Sequence, residues 1–460
     1  MREYRLGGLR LPALRSSSLR SPSPRSSSPR SSSPRSSSPR PSSREPRGPG
    51  RGRPAGWSLP RLPLPTLADR YSPHRNAFGL LRMVLACNVI IAHAKPLGFG
   101  LPSIGDGLTS SQSDLGTVSL YGFFLASGFL ITESALRTSF WRYAWSRFLR
   151  VFPGLWVCLL VTALVLAPLA ALYENGTLHG FWGHSQGPFH YLTTNWFGSM
   201  NQFPISGLLS GTPYGREGHG PSAFDGSLWT LRYDLVFYAS IGALMVTGVL
   251  RRAPRALLLL TGVCYLLIVK DLVSASDWTT RPLPRGAIGP FPLLGYLAAQ
   301  WMLYLGFLFL LGTVARLYAH RIPMHGSLAT IAAALLGLSL WRGGFIAIGP
   351  PVVAYLVLYL AVALPSRVAR LGRGRDYTYG IYIYGFPAQQ LVVLFGGARW
   401  GLIPYIVFSL LGALALAVPS WHLVEAPAMR WKRRGKTSDP RLRGPVPDAA
   451  PVAATAGAPR

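Results

Sequence analysis

Arg82 and His93 are the residues whose types and spacing point most clearly to chemistry. They lie eleven residues apart in a largely apolar run from Phe78 to Ala94. Eleven helical residues make about three turns, so both side chains fall within ~20° of one face and ~16 Å apart along the axis. Both side chains would be costly against lipid. We therefore expect them to line a protein-enclosed path or a reaction site.

The imidazole of His93 suits the role of a general base. A neutral imidazole can accept a proton from a hydroxyl at physiological pH. The alternative is a histidine that only hydrogen-bonds a neighbouring backbone carbonyl. Inside a membrane span, where polar side chains are expensive, the functional interpretation is favoured.

Two further arginines, Arg147 and Arg150, are three residues apart and share a helix face, with Pro153 in the first turn of the predicted helix. Together with Arg82 they form a candidate anion clamp, because guanidinium groups bind phosphates in bidentate fashion. The alternative is that Arg147 and Arg150 only fix the orientation of the helix in the membrane.

Asp234 is a candidate catalytic carboxylate within the run 226–238. It cannot pair across one helix face with Arg232, which is two residues away. We expect its partner on another helix, either His93 or an arginine. A structural pair between helices remains an equal possibility, and Glu425 is interpreted as structural.

Ser127 lies among the small residues of segment 122–131, which predict close helix packing or, alternatively, a binding hydroxyl. No metal site is expected, because the histidines lack a tight ligand spacing and the three cysteines lie in separate apolar runs. The loop 173–226 is rich in aromatic residues and histidine. A loop of this length must cap the helices or lie in water. Its aromatic residues suit either a sugar-binding surface or an interfacial belt.

These residues must be positioned by membrane helices. The chain has 460 residues, 49% of them hydrophobic, and its apolar runs repeatedly approach membrane-spanning length. The predicted fold class is all-α: a polytopic membrane protein with about ten transmembrane helices. Their predicted extents are 78–97, 115–136, 151–172, 227–250, 256–273, 291–317, 326–341, 346–364, 377–396 and 401–424.

The net charge of +30 is concentrated in the two tails and in alternate loops. The positive-inside rule places the basic loops and both termini in the cytoplasm, in a plasma-membrane protein. Charge that flanks membrane helices explains the basic balance without a nucleic-acid partner. The predicted organisation is a disordered, basic Ser/Pro/Arg-rich tail at 1–70, a membrane domain at 71–430 and a second disordered tail at 431–460.

The sequence motifs, taken in their order along the chain, resemble those of the membrane-bound acyltransferase family 3, whose members O-acylate surface polysaccharides and some antibiotics. The resemblance covers roughly residues 71–430. The matching elements are Arg82 with His93, segment 122–131, Arg147 and Arg150 with Pro153, segments 227–238 and 379–384, and Glu425 with Pro427. The family usually has Glu at the position of Asp234, so the carboxylate here is one methylene shorter.

The resemblance implies a membrane O-acyltransferase that moves an acyl group, expected to be acetyl, from a cytoplasmic acyl-CoA to a hydroxyl of a glycan, glycolipid or related acceptor. No tightly bound cofactor is expected. The implied catalytic residues are His93 and Asp234, and the implied donor-binding or substrate-binding residues are Arg82, Arg147, Arg150, Ser127 and Trp229.

Two other function classes remain open on the sequence. A proton-coupled transporter or flippase would use His93 and Asp234 as a proton relay, but it should carry inverted repeats, and the two halves show no internal similarity. A noncatalytic scaffold would not require Arg82 and His93 on one face. The clustering of polar intramembrane residues in the first four predicted helices favours an enzyme site.

Overall fold

The computed structural model describes residues 64–109, 112–216, 222–275, 277–279, 285–372, 374 and 376–434. The predicted disordered tails fall largely outside these residues. The described part is predominantly helical and has the fold predicted from the sequence, that of a multi-pass all-α membrane protein. A two-stranded antiparallel hairpin is the sheet found within it.

Seventeen α-helices and two strands occur in the described residues. The helices are α1 Leu67–Arg70, α2 Phe78–Phe99, α3 Leu115–Arg137, α4 Phe140–Val161, α5 Ala167–Asn175, α6 Pro188–Asn195, α7 Pro213–Arg216, α8 Leu231–Val246, α9 Val249–Arg252, α10 Pro254–Val273, α11 Ala299–Leu317, α12 Gly326–Arg342, α13 Phe345–Ala363, α14 Ser366–Ala369, α15 Thr378–Leu394, α16 Leu402–Ser420 and α17 Ala426–Arg434. The strands are β1 Ala287–Phe291 and β2 Gly295–Ala298. A π turn joins α4 to α5 and another joins α16 to α17.

Seven helical segments in the described residues are long and apolar enough to cross a membrane. They contain α2, α3, α4 with α5, α10, α11, α13, and α16 with its continuation. Three other predicted spans correspond to the shorter helices α8, α12 and α15, which have 16 or 17 residues. The count of ten spans therefore stays a prediction.

Two predicted helix starts differ from the structure. The third helix begins at Phe140 rather than at residue 151, because Ser139 in extended conformation allows an earlier start. Pro153 is consequently inside the helix and not in its first turn. The predicted span 291–317 begins with the hairpin, and the helix starts only at Ala299, since Pro290 and Gly295 interrupt any helix there.

The basic loops meet at one end of the bundle, which we call the arginine side. There the Leu67 amide donates to the Ile322 carbonyl at 2.8 Å, and the Arg251 guanidinium donates to the Leu136 carbonyl at 2.8 Å. These contacts join the chain before α2 and the ends of α3, α9 and α11. Helices α2, α4 and α15 all begin at this end.

The opposite end, the loop side, carries the long connection 176–226 and the hairpin. The Ser199 hydroxyl donates to the Leu294 carbonyl at 2.7 Å, and the Arg232 guanidinium donates to the Tyr296 carbonyl at 2.9 Å. Tyr191 is fully buried among side chains of α4 and α15 and hydrogen-bonds Asp225. Part of the connection therefore caps the helices, as the sequence allowed.

The tightest packing joins α3 to α11 through the small residues predicted for that purpose. A Cβ atom built at Gly128 would lie 2.0 Å from the Phe309 carbonyl oxygen, and one at Gly312 would lie 2.1 Å from the Leu125 carbonyl oxygen. The two backbones are in direct contact, which only glycine allows. This contact fixes the position of α3, which lines the site described next.

Candidate active site

Arg82 and His93 lie on α2 and face two adjoining cavities inside the bundle. The arginine cavity has a volume of about 70 Å³, and its polar lining includes Arg82, Arg150, Asp234, Ser127, Thr230 and Tyr382. The histidine cavity has a volume of about 150 Å³, and its polar lining comes from His93, Asp114, Thr117, Ser227, Thr230 and Tyr382. Both cavities are lined by side chains from several helices, so neither residue needs to face lipid.

Tyr382 and Thr230 line both cavities and mark the boundary between them. Their hydroxyl groups hydrogen-bond each other, and the Tyr382 hydroxyl also donates to the Ser227 carbonyl at 2.7 Å. Leu120 of α3 closes the same boundary from the other side. Polar side chains thus line the way from Arg82 to His93, and this hydrogen-bonded pair lies between the two cavities.

Arg82 and Arg150 converge on one carboxylate, Asp376, at the arginine side. The Asp376 oxygen lies 2.7 Å from an Arg150 nitrogen and 3.6 Å from an Arg82 nitrogen. Burial raises the pKa of Asp376, but the two guanidinium groups lower it by more, so that the pKa lies below its usual value. Asp376 therefore holds the two arginines together, in a geometry that allows both guanidinium groups to donate hydrogen bonds to the oxygens of a phosphate.

Asp234 lies in the arginine cavity and does not line the histidine cavity. The positive charge of Arg82 acts on the Asp234 carboxylate. The Oδ1 atom of Asp234 is buried and has no hydrogen-bond partner among the described residues. Of the two partner types left open by the sequence, the geometry favours an arginine. The Arg232 guanidinium instead binds backbone carbonyls on the loop side, in agreement with the expected absence of an Arg232–Asp234 pair.

Asp114, a residue not singled out in the sequence, supplies the carboxylate beside His93. It is the N-cap of α3, where its Oδ1 accepts a hydrogen bond from the Thr117 amide at 2.6 Å. Its charge acts on the imidazole of His93 across the cavity. An aspartate just before an apolar run is a recognisable helix start, but the sequence does not reveal that this helix start packs beside α2.

The remaining predicted residues are distributed among three places. Ser127 lines the arginine cavity, whereas Trp229 lines the histidine cavity and packs against Trp301, with ring centroids 5.0 Å apart. Arg147 lines a separate groove between α4 and α8. Positions three apart on a helix differ by about 60° in direction, so Arg147 and Arg150 can point to different sides of Tyr238.

No group of three or more potential metal-ligating side chains occurs among the residues that the structure describes. The ring of His93 instead contacts Phe386 of α15 edge to face, with centroids 5.5 Å apart. The site can therefore offer an imidazole with a nearby carboxylate, and two arginines beyond a hydroxyl pair. This set suits proton transfer next to an anionic ligand.

Comparison with known proteins agrees with this chemistry. A family model described as an acyltransferase domain matches residues 75–422. Nodulation protein 10 of Rhizobium leguminosarum bv. viciae is 32% identical over 383 residues, covering 79% of this chain and 95% of that protein. An O-acetyl transferase of Shigella phage Sf6 is 27% identical over 385 residues, covering 80% of this chain and 98% of that protein.

No solved structure gives a significant match. The family match spans both cavities and all the helices that line them. The chain is therefore a membrane O-acyltransferase that belongs to the membrane-bound acyltransferase family 3.

Proposed function

We propose that this enzyme moves an acyl group, acetyl in the simplest case, from acyl-CoA to a hydroxyl of a glycan, glycolipid or related acceptor. The observation that carries the proposal is the junction of a two-arginine cavity with a cavity that contains an imidazole and a carboxylate. The name of the phage relative, an O-acetyl transferase, supports acetyl as the group transferred.

The donor would bind from the arginine side. Its phosphate groups would replace Asp376 as the partner of Arg82 and Arg150, since both guanidinium groups already point to one oxygen position. The pantetheine arm would pass the boundary at Tyr382, and entry requires the hydrogen bond between Tyr382 and Thr230 to open. Asp234 would stay beside Arg82 and orient it, while Ser127 offers a hydroxyl to the bound arm.

His93 would act as general base in the histidine cavity. It takes the proton of the acceptor hydroxyl, whose oxygen attacks the thioester carbonyl, and the CoA thiolate leaves and recovers a proton from the imidazolium. Asp114 would stabilise the imidazolium that forms, because its carboxylate faces the same cavity. A transient acyl group on the imidazole is the alternative route through the same residue.

The acceptor would occupy the loop side of His93. Trp229 and Trp301 form an aromatic wall there, and flat aromatic faces next to a carboxylate suit a sugar ring. The bundle would place the arginine side in the cytoplasm of a plasma-membrane protein with both termini inside, because the basic loops gather at that end. Donor and acceptor would then arrive from opposite sides.

The decisive experiment replaces His93 by Gln and Asp114 by Asn in the full chain and measures release of free CoA thiol with acetyl-CoA and an acceptor glycolipid. We expect His93→Gln to lower turnover by about 10²–10⁴-fold, the range for loss of a general base. Asp114→Asn should lower turnover less and change its pH profile, because Asp114 acts through His93.

The matched control is His320→Gln, which changes an exposed histidine at the arginine side. Its turnover should equal that of the parent enzyme. Near-normal turnover in a folded His93→Gln variant would refute the base assignment. For the donor site, Arg150→Gln should weaken CoA binding by at least tenfold, whereas the exposed control Arg367→Gln should not.

A further inference from the structure

A groove between α4 and α8 takes no part in the proposed reaction. Its volume is about 580 Å³, within the range of roughly 300–1,000 Å³ that small-molecule sites occupy. On α8, the lining positions recur every three or four residues from Leu235 to Val246 and so form one face. The exposed residues Ala239, Ala243 and Val246 show that the groove opens on the surface of the bundle.

Small residues of α8 line one side of the groove. Ala239, Gly242 and Ala243 face the aromatic rings of Phe140 and Tyr143 on α4. A Cβ atom built at Gly242 would lie 3.2 Å from the Phe140 ring, so the wall is already close at that point. The lining beside these residues is mainly apolar and suits a hydrocarbon chain.

One guanidinium group, that of Arg147, lies in this apolar wall. Among the described residues it has no ion pair, and its hydrogen bond is to the Ser146 hydroxyl at 3.4 Å. The positive charges of Arg150 and Arg82 repel it, and Asp376 serves those two arginines instead. A cation in such surroundings is costly without an anion.

The position of Arg147 along α4 matches that of a lipid headgroup. Trp141 and Trp145 precede it with 78% and 48% of their surface exposed, and exposed indole rings mark the membrane interface. Side chains on a helix tilt toward its N-terminus, so the Arg147 guanidinium reaches back toward the level of these rings. A ligand with an anionic group at the interface and a chain below it would match both features.

We propose that the α4–α8 groove binds one anionic phospholipid, with its phosphate on Arg147 and an acyl chain against the small residues of α8. The bound phosphate supplies the counterion that Arg147 lacks within the described residues. It also weakens the repulsion between Arg147 and the arginine pair of the active site. Lipid composition would thereby affect the active site without any contact to the reacting groups.

The test measures lipid retention by native mass spectrometry on the purified full chain, with phosphatidylglycerol as the probe and phosphatidylcholine of equal chain length as the comparison. Neither donor nor acceptor is present, so the result is independent of the proposed reaction. We expect one phosphatidylglycerol molecule to be retained, with at least tenfold preference over phosphatidylcholine. Inorganic phosphate should not displace it, because it has no chain to fill the groove.

Two variants separate the headgroup from the chain. Arg147→Gln should reduce retention of phosphatidylglycerol at least tenfold, and Ala243→Leu should do so by filling the groove while keeping the guanidinium. Arg255→Gln, an exposed arginine at the start of α10, is the matched control and should retain the lipid. Equal retention in Arg147→Gln and the parent, or loss in Arg255→Gln to the same degree, would overturn the proposal. Ala243→Leu without effect would overturn the placement of the chain.

Discussion

Replacement of Gly128 by Ala tests how α3 is held against α11. The added Cβ atom would lie 2.0 Å from the Phe309 carbonyl oxygen, whereas ordinary contact begins at 3.4 Å. The two helices must therefore separate by about 1.4 Å, because the obstacle is backbone and cannot rotate away. Overpacking of this kind costs about 1–3 kcal/mol, and we expect the upper part of that range.

The effect should reach the active site, because Leu120 and Ser127 of the displaced helix line the two cavities. A displacement of about 1 Å in the groups that position substrates can cost up to ~10²-fold in rate. We expect Gly128→Ala to melt several degrees below the parent in a detergent-based thermal unfolding assay and to turn over more slowly.

The matched control is Gly337→Ala in α12, where a Cβ atom would find nothing within 4 Å. This variant should be as stable as the parent or more so, since alanine is favoured over glycine in a helix by about 1 kcal/mol. If Gly128→Ala melted at the same temperature as Gly337→Ala, the direct backbone contact between α3 and α11 would be wrong.

Three further outcomes are expected. The two arginines beside Asp376 hold its pKa below its usual value, although burial acts in the opposite direction. Asp376→Asn should therefore lower the melting temperature. The decrease should have its full size above about pH 4 and become smaller in stronger acid. Burial raises the pKa of Asp225 to about 7. Its contribution to the stability of the folded protein is therefore complete below about pH 4 and is lost as the pH rises through 7. Asp225→Asn should make the melting temperature depend less on pH across this range. Tyr382→Phe removes the hydrogen bond to Thr230, and an assay without acceptor should show faster thioester hydrolysis than in the parent.

The sequence predicts the helices well because a membrane span needs a long apolar run, and such runs are visible without tertiary information. The exception is the segment 291–298, which the sequence predicts as the start of the span 291–317 but which belongs to the hairpin. The prolines of the hairpin lack the backbone N–H that a helix interior requires, and Gly295 adopts positive φ in the turn. Composition alone did not separate these two outcomes.

The candidate site is predictable only in part, because helical spacing relates residues on one helix and not between helices. Helical spacing places Arg82 and His93 on one face of α2, and in the structure these two residues line adjoining cavities. Asp114 and Asp376 lie just before helices, and tertiary packing alone brings them to the site. The same limit explains why spacing groups Arg147 with Arg150 although the two line different cavities.

The hydroxyl pair of Tyr382 and Thr230 has a consequence for the cell as well as for the reaction. An enzyme that accepts one substrate from each side of a bilayer has two access paths that nearly meet inside the protein. If its two chambers were in open continuity, protons would leak along the polar route and dissipate the membrane potential. In the function proposed above, the closed pair would separate the two compartments between turnovers, and the bound donor arm would fill the opening that it makes when the pair separates.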